Sequence, residues 1–86
     1  MEPLSRFVGM SDADMTLNIL QGSIGRTVLI KLKGGRTIRG TLKGYDHHMN
    51  LLLEGSEELR EDGASNKLGV IVIRGDNVVL ISPPAD

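Results

Sequence analysis

Cysteine is absent from this 86-residue chain, which removes disulfide frameworks, thiolate metal sites and every zinc-finger architecture, and fits a reducing compartment. Aromatic residues are nearly absent too. Phe7 and Tyr45 are the whole complement, so the core has to be assembled from Val, Ile and Leu, residue types suited to strands. No apolar run approaches the roughly 20 residues that cross a bilayer. The opening MEPLSRFVGMSD has neither the basic start nor the continuous apolar stretch of a secretory signal. A cytoplasmic protein with no membrane partner is expected. An excess of one charge is also lacking. Ten Lys and Arg against 11 Asp and Glu exclude a general basic coat that attaches anywhere on DNA, so a nucleic-acid partner would have to meet local positive charge. The length allows a single domain, 1–86, with a thin core.

What is present is a short helical stretch followed by strand patterns. Residues 1–11 read as a flexible arm. Ser11, Asp12 and Asp14 are candidate caps or first-turn acids for a helix over about 14–24. Leu17, Leu20 and Ile24 recur at helical spacing as one narrow apolar stripe, and Gly22, costing roughly 1 kcal/mol of helix propensity against alanine, invites an early end. From Arg26 the period falls to two. Val28, Ile30 and Leu32 alternate with Thr27, Lys31 and Lys33, although Leu29 breaks the pattern. Gly34-Gly35 supplies the positive φ angles of a tight hairpin. A long return strand places Ile38 and Leu42 inward with Gly40 and Gly44 on the same face, glycines that mark a bend or bulge, while Thr37, Arg39, Thr41 and Lys43 point outward. Met49 to Glu54 reads as a third strand and 56–67 as a variable surface loop. Leu68–Ile73 and Val78–Ile81 are two short apolar runs that the segment Arg74-Gly75-Asp76-Asn77 is expected to join as a second hairpin. Pro83 and Pro84 end the sheet.

The sum is a mainly β fold: an N-terminal α-helix and then a five-stranded, strongly bent antiparallel sheet forming a small open barrel. Two features do not suit a solitary barrel. The last two strands lack polar alternation, and an open barrel keeps two edges able to pair with a neighbour. A closed ring of identical subunits, joined head to tail, resolves both.

The chemistry-bearing residues concentrate in Gly44-Tyr45-Asp46-His47-His48-Met49-Asn50. A metal site is disfavoured, because adjacent residues of an extended chain point apart and no third histidine or thiolate completes a ligand set. Catalysis with His48 as base and Asp46 as its orienter lacks a nucleophile and an enclosed pocket; the chain is not expected to be an enzyme, nor to carry a cofactor. Asp46 and Asn50 could simply satisfy loop amides while the histidines stay solvated. Alternatively His48 and Asn50, two residues apart, share one side, where an imidazole can stack on a base and an amide can bond its edge. Asn carries an acceptor and donors together and so can match O4 and N3 of uracil.

Here the sequence resembles a known family. VLIKLKGGRTIRGTLKGYDHHMNLLLEG is similar to the first motif of Sm and Sm-like (LSm) proteins, about 26–55 in this chain, and LGVIVIRGDNVVLISP to the second, about 68–83. The archaeal branch is the nearer, since the bacterial one ends its second motif in a Lys-His pair missing here. The resemblance implies a homo-oligomeric, heptameric ring with strand four of one subunit against strand five of the next. It also implies a central pore that binds uridine-rich single-stranded RNA, one base per subunit, in an RNA chaperone or a scaffold for RNA-processing proteins. Carried onto this chain, it sandwiches uracil between His48 and Arg74, gives the specific bonds to Asn50, adds hairpin contacts at Gly75 and Asp76, and leaves Asp46 to support the loop. Some archaeal relatives use an aromatic near the position of Tyr45 in a second, outer RNA contact, although a lone tyrosine beside a bend more often serves packing. A guanidinium stacks on bases better than an ammonium does; equally, Arg74 could be a surface arginine paired with Asp76. Lys31, Lys33, Arg39 and Lys43 read as a solvated strand face. The competing functional reading is an architectural ring for protein partners with little direct RNA binding.

Overall fold

The computed structural model describes residues 12–83, with side chains from Met15 onward. The arm 1–11, the capping roles of Ser11, Asp12 and Asp14, and Pro84 fall outside the described residues or side chains. Helix α1 (Asp12–Ser23) leads into strands β1 (Thr27–Leu32), β2 (Thr37–Tyr45), β3 (Leu51–Leu59), β4 (Ser65–Ile73) and β5 (Val78–Ser82). They form one antiparallel sheet in the order β4-β3-β2-β1-β5.

Gly22 does not stop the helix, which continues to Ser23; there the Ser23 hydroxyl donates to the Ile19 carbonyl at 2.9 Å. Of the expected stripe Leu20 is buried and Leu17 half-buried, but Ile24 lies beyond the helix end and is exposed. Gly25, at φ 81°, turns the chain so that its amide donates to the Leu42 carbonyl, while the Leu42 amide donates to Arg26. The helix is thereby stitched to the middle of β2. Leu20 then closes a core made with Val28, Ile30, Ile38, Leu42, Leu51, Leu53 and Ile73. Full burial of each such side chain is worth about 1.5–3 kcal/mol. The alternation of β1 and β2 assigns those inward residues as expected, and Gly34 and Gly35 both take positive φ in the β1–β2 turn.

The loop expected over 56–67 is largely strand. β3 runs to Leu59 and β4 starts at Ser65, leaving a turn over 60–64 in which the Arg60 amide donates to Ala64 and Gly63 takes φ 87°. The polar composition misled because these strand ends face solvent, paired to β2 and β4 by backbone ladders and carrying charged side chains that meet across strands. Glu58 accepts two bonds from the Arg36 guanidinium at 3.0 Å each, and Glu57 is paired with Arg39. The expected second hairpin is also not formed. β4 and β5 lie at opposite edges of the sheet, joined by a 3-10 turn over Gly75–Asn77. No residue of 74–77 has positive φ, whereas the tight turns that fold two strands back on each other require it.

The bend lies where β2, β3 and β4 shift register together, at Arg39/Thr41, at Leu53/Ser56 and on to Glu57. A Cβ on Gly40 would stand 3.0 Å from the Ser56 Cβ and 3.1 Å from its Cα. Buried Ser56 donates in turn to the Gly69 carbonyl at 2.7 Å. Three small residues on adjacent strands thus permit the close approach that curves the sheet. Gly40→Val is expected to lower the urea midpoint, losing about 1–3 kcal/mol by overpacking. Gly22→Ala, whose new methyl meets nothing within 4 Å, should raise the midpoint, gaining about 0.5–1 kcal/mol. Equal effects at the two glycines would contradict the assignment of the bend to Gly40.

Candidate nucleic-acid interface

Five residues, 46–50, carry the chain from β2 to β3, and Asp46 organises them. Its Oδ1 accepts from the backbone amides of His48 at 2.9 Å and Asn50 at 3.0 Å, and its Oδ2 from the Asn50 side-chain Nδ2 at 2.9 Å. An ionised Asp accepts without donating and can satisfy three donors at once. These bonds hold the Asp46 carboxyl below the usual carboxylate range, the Asn50 side chain contributing most, then the Asn50 and His48 amides. Inside this ring of bonds Met49 takes φ 65°, a conformation uncommon for a residue with a side chain. Its half-buried side chain packs against the core.

The loop is tied to the other end of the chain through Asn50. The Gly75 amide donates to Asn50 Oδ1 at 2.9 Å. No side chain could stand at position 75, because a Cβ there would overlap the His48 carbonyl oxygen and lie 2.9 Å from the Met49 carbonyl carbon. This contact brings together Asp46, His48 and Asn50 with Gly75, and with it the flanking Arg74 and Asp76. With one proton given to Asp46 and one lone pair to Gly75, the Asn50 amide keeps one N–H and one lone pair for a ligand. His47, His48, Arg74 and Asp76 are exposed. Arg74 Nε sits 3.7 Å from Asp76 Oδ1, with both side chains open to solvent, a pair worth little in water. Tyr45 ends β2, half-buried and packed against the core. Arg39 and Lys43 are paired with Glu57 and Glu54 rather than left as solvated cations. Among the described residues no group of three or more His, Asp or Glu could hold a metal ion.

Sequence reasoning overlooked Met49, the second role of Asn50 and the glutamates of β3. The spacing Asp-x-x-x-Asn was a usable signal for the first two, since an Asp closing a short turn onto following amides is a recurrent motif. Glu57 and Glu58 were hidden by their assignment to a loop, whereas Glu54 stood in the expected third strand with its pairing to Lys43 unforeseen.

The family model described as the LSM domain matches residues 18–83, and so spans Asp46, Asn50 and Gly75 together. The chain belongs to the LSM family. Among LSM relatives, it is 54% identical over 71 residues to a Methanosarcina barkeri protein named as an snRNP Sm-like protein, covering 83% of this chain and 99% of that one. The counterpart from Archaeoglobus fulgidus is 51% identical over 67 residues, covering 78% and 87%. The fold is similar to that of a heptameric archaeal Sm protein, with a TM-score of 0.75, 48% identity and coverage of 79% of this chain and 98% of that one. It is likewise similar to the Pyrococcus abyssii Sm protein solved in complex with a uridine heptamer, with a TM-score of 0.74, 43% identity and coverage of 79% and 96%. Among the described residues no helix is long and apolar enough to cross a membrane.

The depressed Asp46 carboxyl gives the LSM loop a defined pH response. A carboxylate whose value is lowered on folding contributes fully above its unfolded value, about 3.9, and loses that contribution as pH falls through the lower folded value. The amide resonances of His48 and Asn50 should therefore shift together as pH falls below about 4, and Asp46→Asn should abolish that shared inflection. Separate inflections at the two amides would show that one carboxylate does not hold both.

Proposed function

We propose that this chain forms a homo-oligomeric, heptameric ring that binds uridine-rich single-stranded RNA in its pore and serves in the cytoplasm as an RNA chaperone or a scaffold in RNA processing or turnover. The role is binding and not catalysis. The observation that carries it is the Asn50–Gly75 hydrogen bond, which sets the loop bearing His48 beside the turn bearing Arg74. In this reading His48 and Arg74 stack on the two faces of a uracil, and the remaining N–H and lone pair of Asn50 meet its edge. Gly75 and Asp76 contribute at the turn, and Asp46 supports the loop. The uridine heptamer bound by the P. abyssii protein supports the choice of ligand. Tyr45, half-buried, is assigned to packing first.

Support for the ring comes from the edges. Val70 and Val72 on β4 are 66% and 67% exposed, and Val79 and Leu80 on β5 are 65% and 53% exposed, while both strands lack an outer partner among the described residues. Apolar edges of this kind invite pairing. β4 of one copy against β5 of the next covers both, and repetition closes a ring. Weak single-base contacts then act at high effective concentration along one strand of RNA.

Fluorescence anisotropy with oligo-U and oligo-C, on protein sized by light scattering, tests the reading. A ring preferring oligo-U is expected; a stable monomer, or no preference, would sink it, and a ring indifferent to RNA would favour the architectural scaffold instead. His48→Ala and Arg74→Ala should each weaken oligo-U binding by about 5- to 150-fold, as loss of roughly 1–3 kcal/mol of stacking per base implies, with His47→Ala nearly silent. Asn50→Ala should weaken it as well, with part of that loss arising from the broken loop. The salt slope should be shallower than about 0.7 per bound phosphate, because stacking shares the contact.

A further inference from the structure

Outside the loop, the outward face of the sheet holds the largest group of cations. Lys31 on β1, Arg39 and Lys43 on β2 and Lys67 on β4 share it by register: Lys31 opposes Thr37, and Arg39 opposes Glu57, which in turn opposes Lys67. Two acids of β3 stand among them. Glu57 is bonded to the Arg39 guanidinium, and its carboxyl is held below the usual range first by that bond, with Lys67 adding a smaller attraction. Glu54 lies 3.3 Å from the Lys43 ammonium. Each acid therefore occupies a cation that would otherwise face solvent, on strands that run from the bend to the tip of the sheet.

Exposed pairs of this kind add little stability, so folding alone gives weak grounds for them. Their effect on binding is larger. Phosphate affinity grows with each available cation whatever the base, and an unpaired row across β1, β2 and β4 would draw any RNA by its backbone, in competition with a site that selects bases.

We infer that Glu54 and Glu57 are specificity residues: by pairing with Arg39 and Lys43 they halve the positive charge of the outer face of the sheet, so that RNA is held by its bases in preference to its backbone. This rests on RNA being the ligand, but its test does not require the uracil site to be correctly placed.

The experiment compares the unaltered ring with the Glu54→Gln/Glu57→Gln variant for binding of oligo-A and of oligo-U between 50 and 200 mM salt, with ring size checked by light scattering. Glutamine keeps an acceptor for Arg39 and removes only the charge. Oligo-A binding should tighten about tenfold at 50 mM salt, with the slope steeper by about 1.4 for two released cations, and this gain should fall about sevenfold by 200 mM. Adding Arg39→Gln/Lys43→Gln should return oligo-A binding to its starting level. The gain should persist in a His48→Ala background, which separates it from the proposed pore site. Unchanged oligo-A affinity and slope in an intact ring would overturn the inference, as would a gain that survives loss of Arg39 and Lys43. If the variant does not form rings, Lys43→Glu in the unaltered chain, expected to leave oligo-A binding no stronger, and Glu54→Gln alone, expected to give about half the added slope, decide in its place.

Discussion

Gly40 and Ser56 approach so closely that a single methyl on the glycine would press on its neighbour, and the rest of the molecule depends on that contact. Where β2, β3 and β4 slip register together, the sheet gains curvature that a continuous ladder would resist. Without the bend, Ile38 and Leu42 of β2 could not enclose one core with Leu51, Leu53 and Ile73. Nor would β5 meet β1 on the far side, where Ile30 faces Ile81. A core built from aliphatic side chains of similar size, with hardly any aromatic bulk, can close only by wrapping. The buried Ser56 hydroxyl, at the sharpest curvature, avoids being an unpaired polar atom by donating to the Gly69 carbonyl.

The second constraint is the bond network around Asp46. One carboxylate holds two backbone amides and one side-chain amide, and Asn50 hands the constraint on to Gly75 across 25 positions of sequence. The left-handed Met49 is tolerated because its neighbours fix the turn on both sides and its side chain packs inward. His47 and His48, adjacent in the chain, therefore differ in situation: the His48 amide belongs to the network and its carbonyl abuts Gly75, whereas His47 makes neither contact.

Much of this was legible in the sequence where one physical rule acts alone. Period-two alternation identified the inward residues of β1 and β2, and the glycine pair identified their turn. The resemblance carried the grouping of Asp46, His48, Asn50, Arg74, Gly75 and Asp76, which composition and spacing could not have joined across the chain. Reading failed where two rules compete. Glu57 and Glu58 read as loop because polar residues usually do, yet backbone ladders to β2 and β4 place them in a strand, with Arg39 and Arg36 meeting them across it. Arg74-Gly75-Asp76-Asn77 read as a hairpin because glycine beside aspartate usually turns a chain back, yet Gly75 serves close packing rather than positive φ. Ile24 fitted the helical stripe, but the helix ends one residue before it.

That last turn explains why site and edges belong to one mechanical unit. β4 and β5 are consecutive in the chain but occupy opposite edges of the sheet, so residues 74–77 must bridge the mouth of the open barrel. The bridge is anchored at two points: Gly75 bonds Asn50 beneath it, and the Asn77 carbonyl accepts from the Lys33 amide at the β1–β2 turn. Those anchors fix where β4 ends and β5 begins, and hence the angle between the two apolar edges. A subunit whose edges must meet identical copies around a closed path cannot let that angle drift, because small errors accumulate with each copy. In the proposed ring, the contacts that hold Arg74 beside the histidine loop would also set the closure angle.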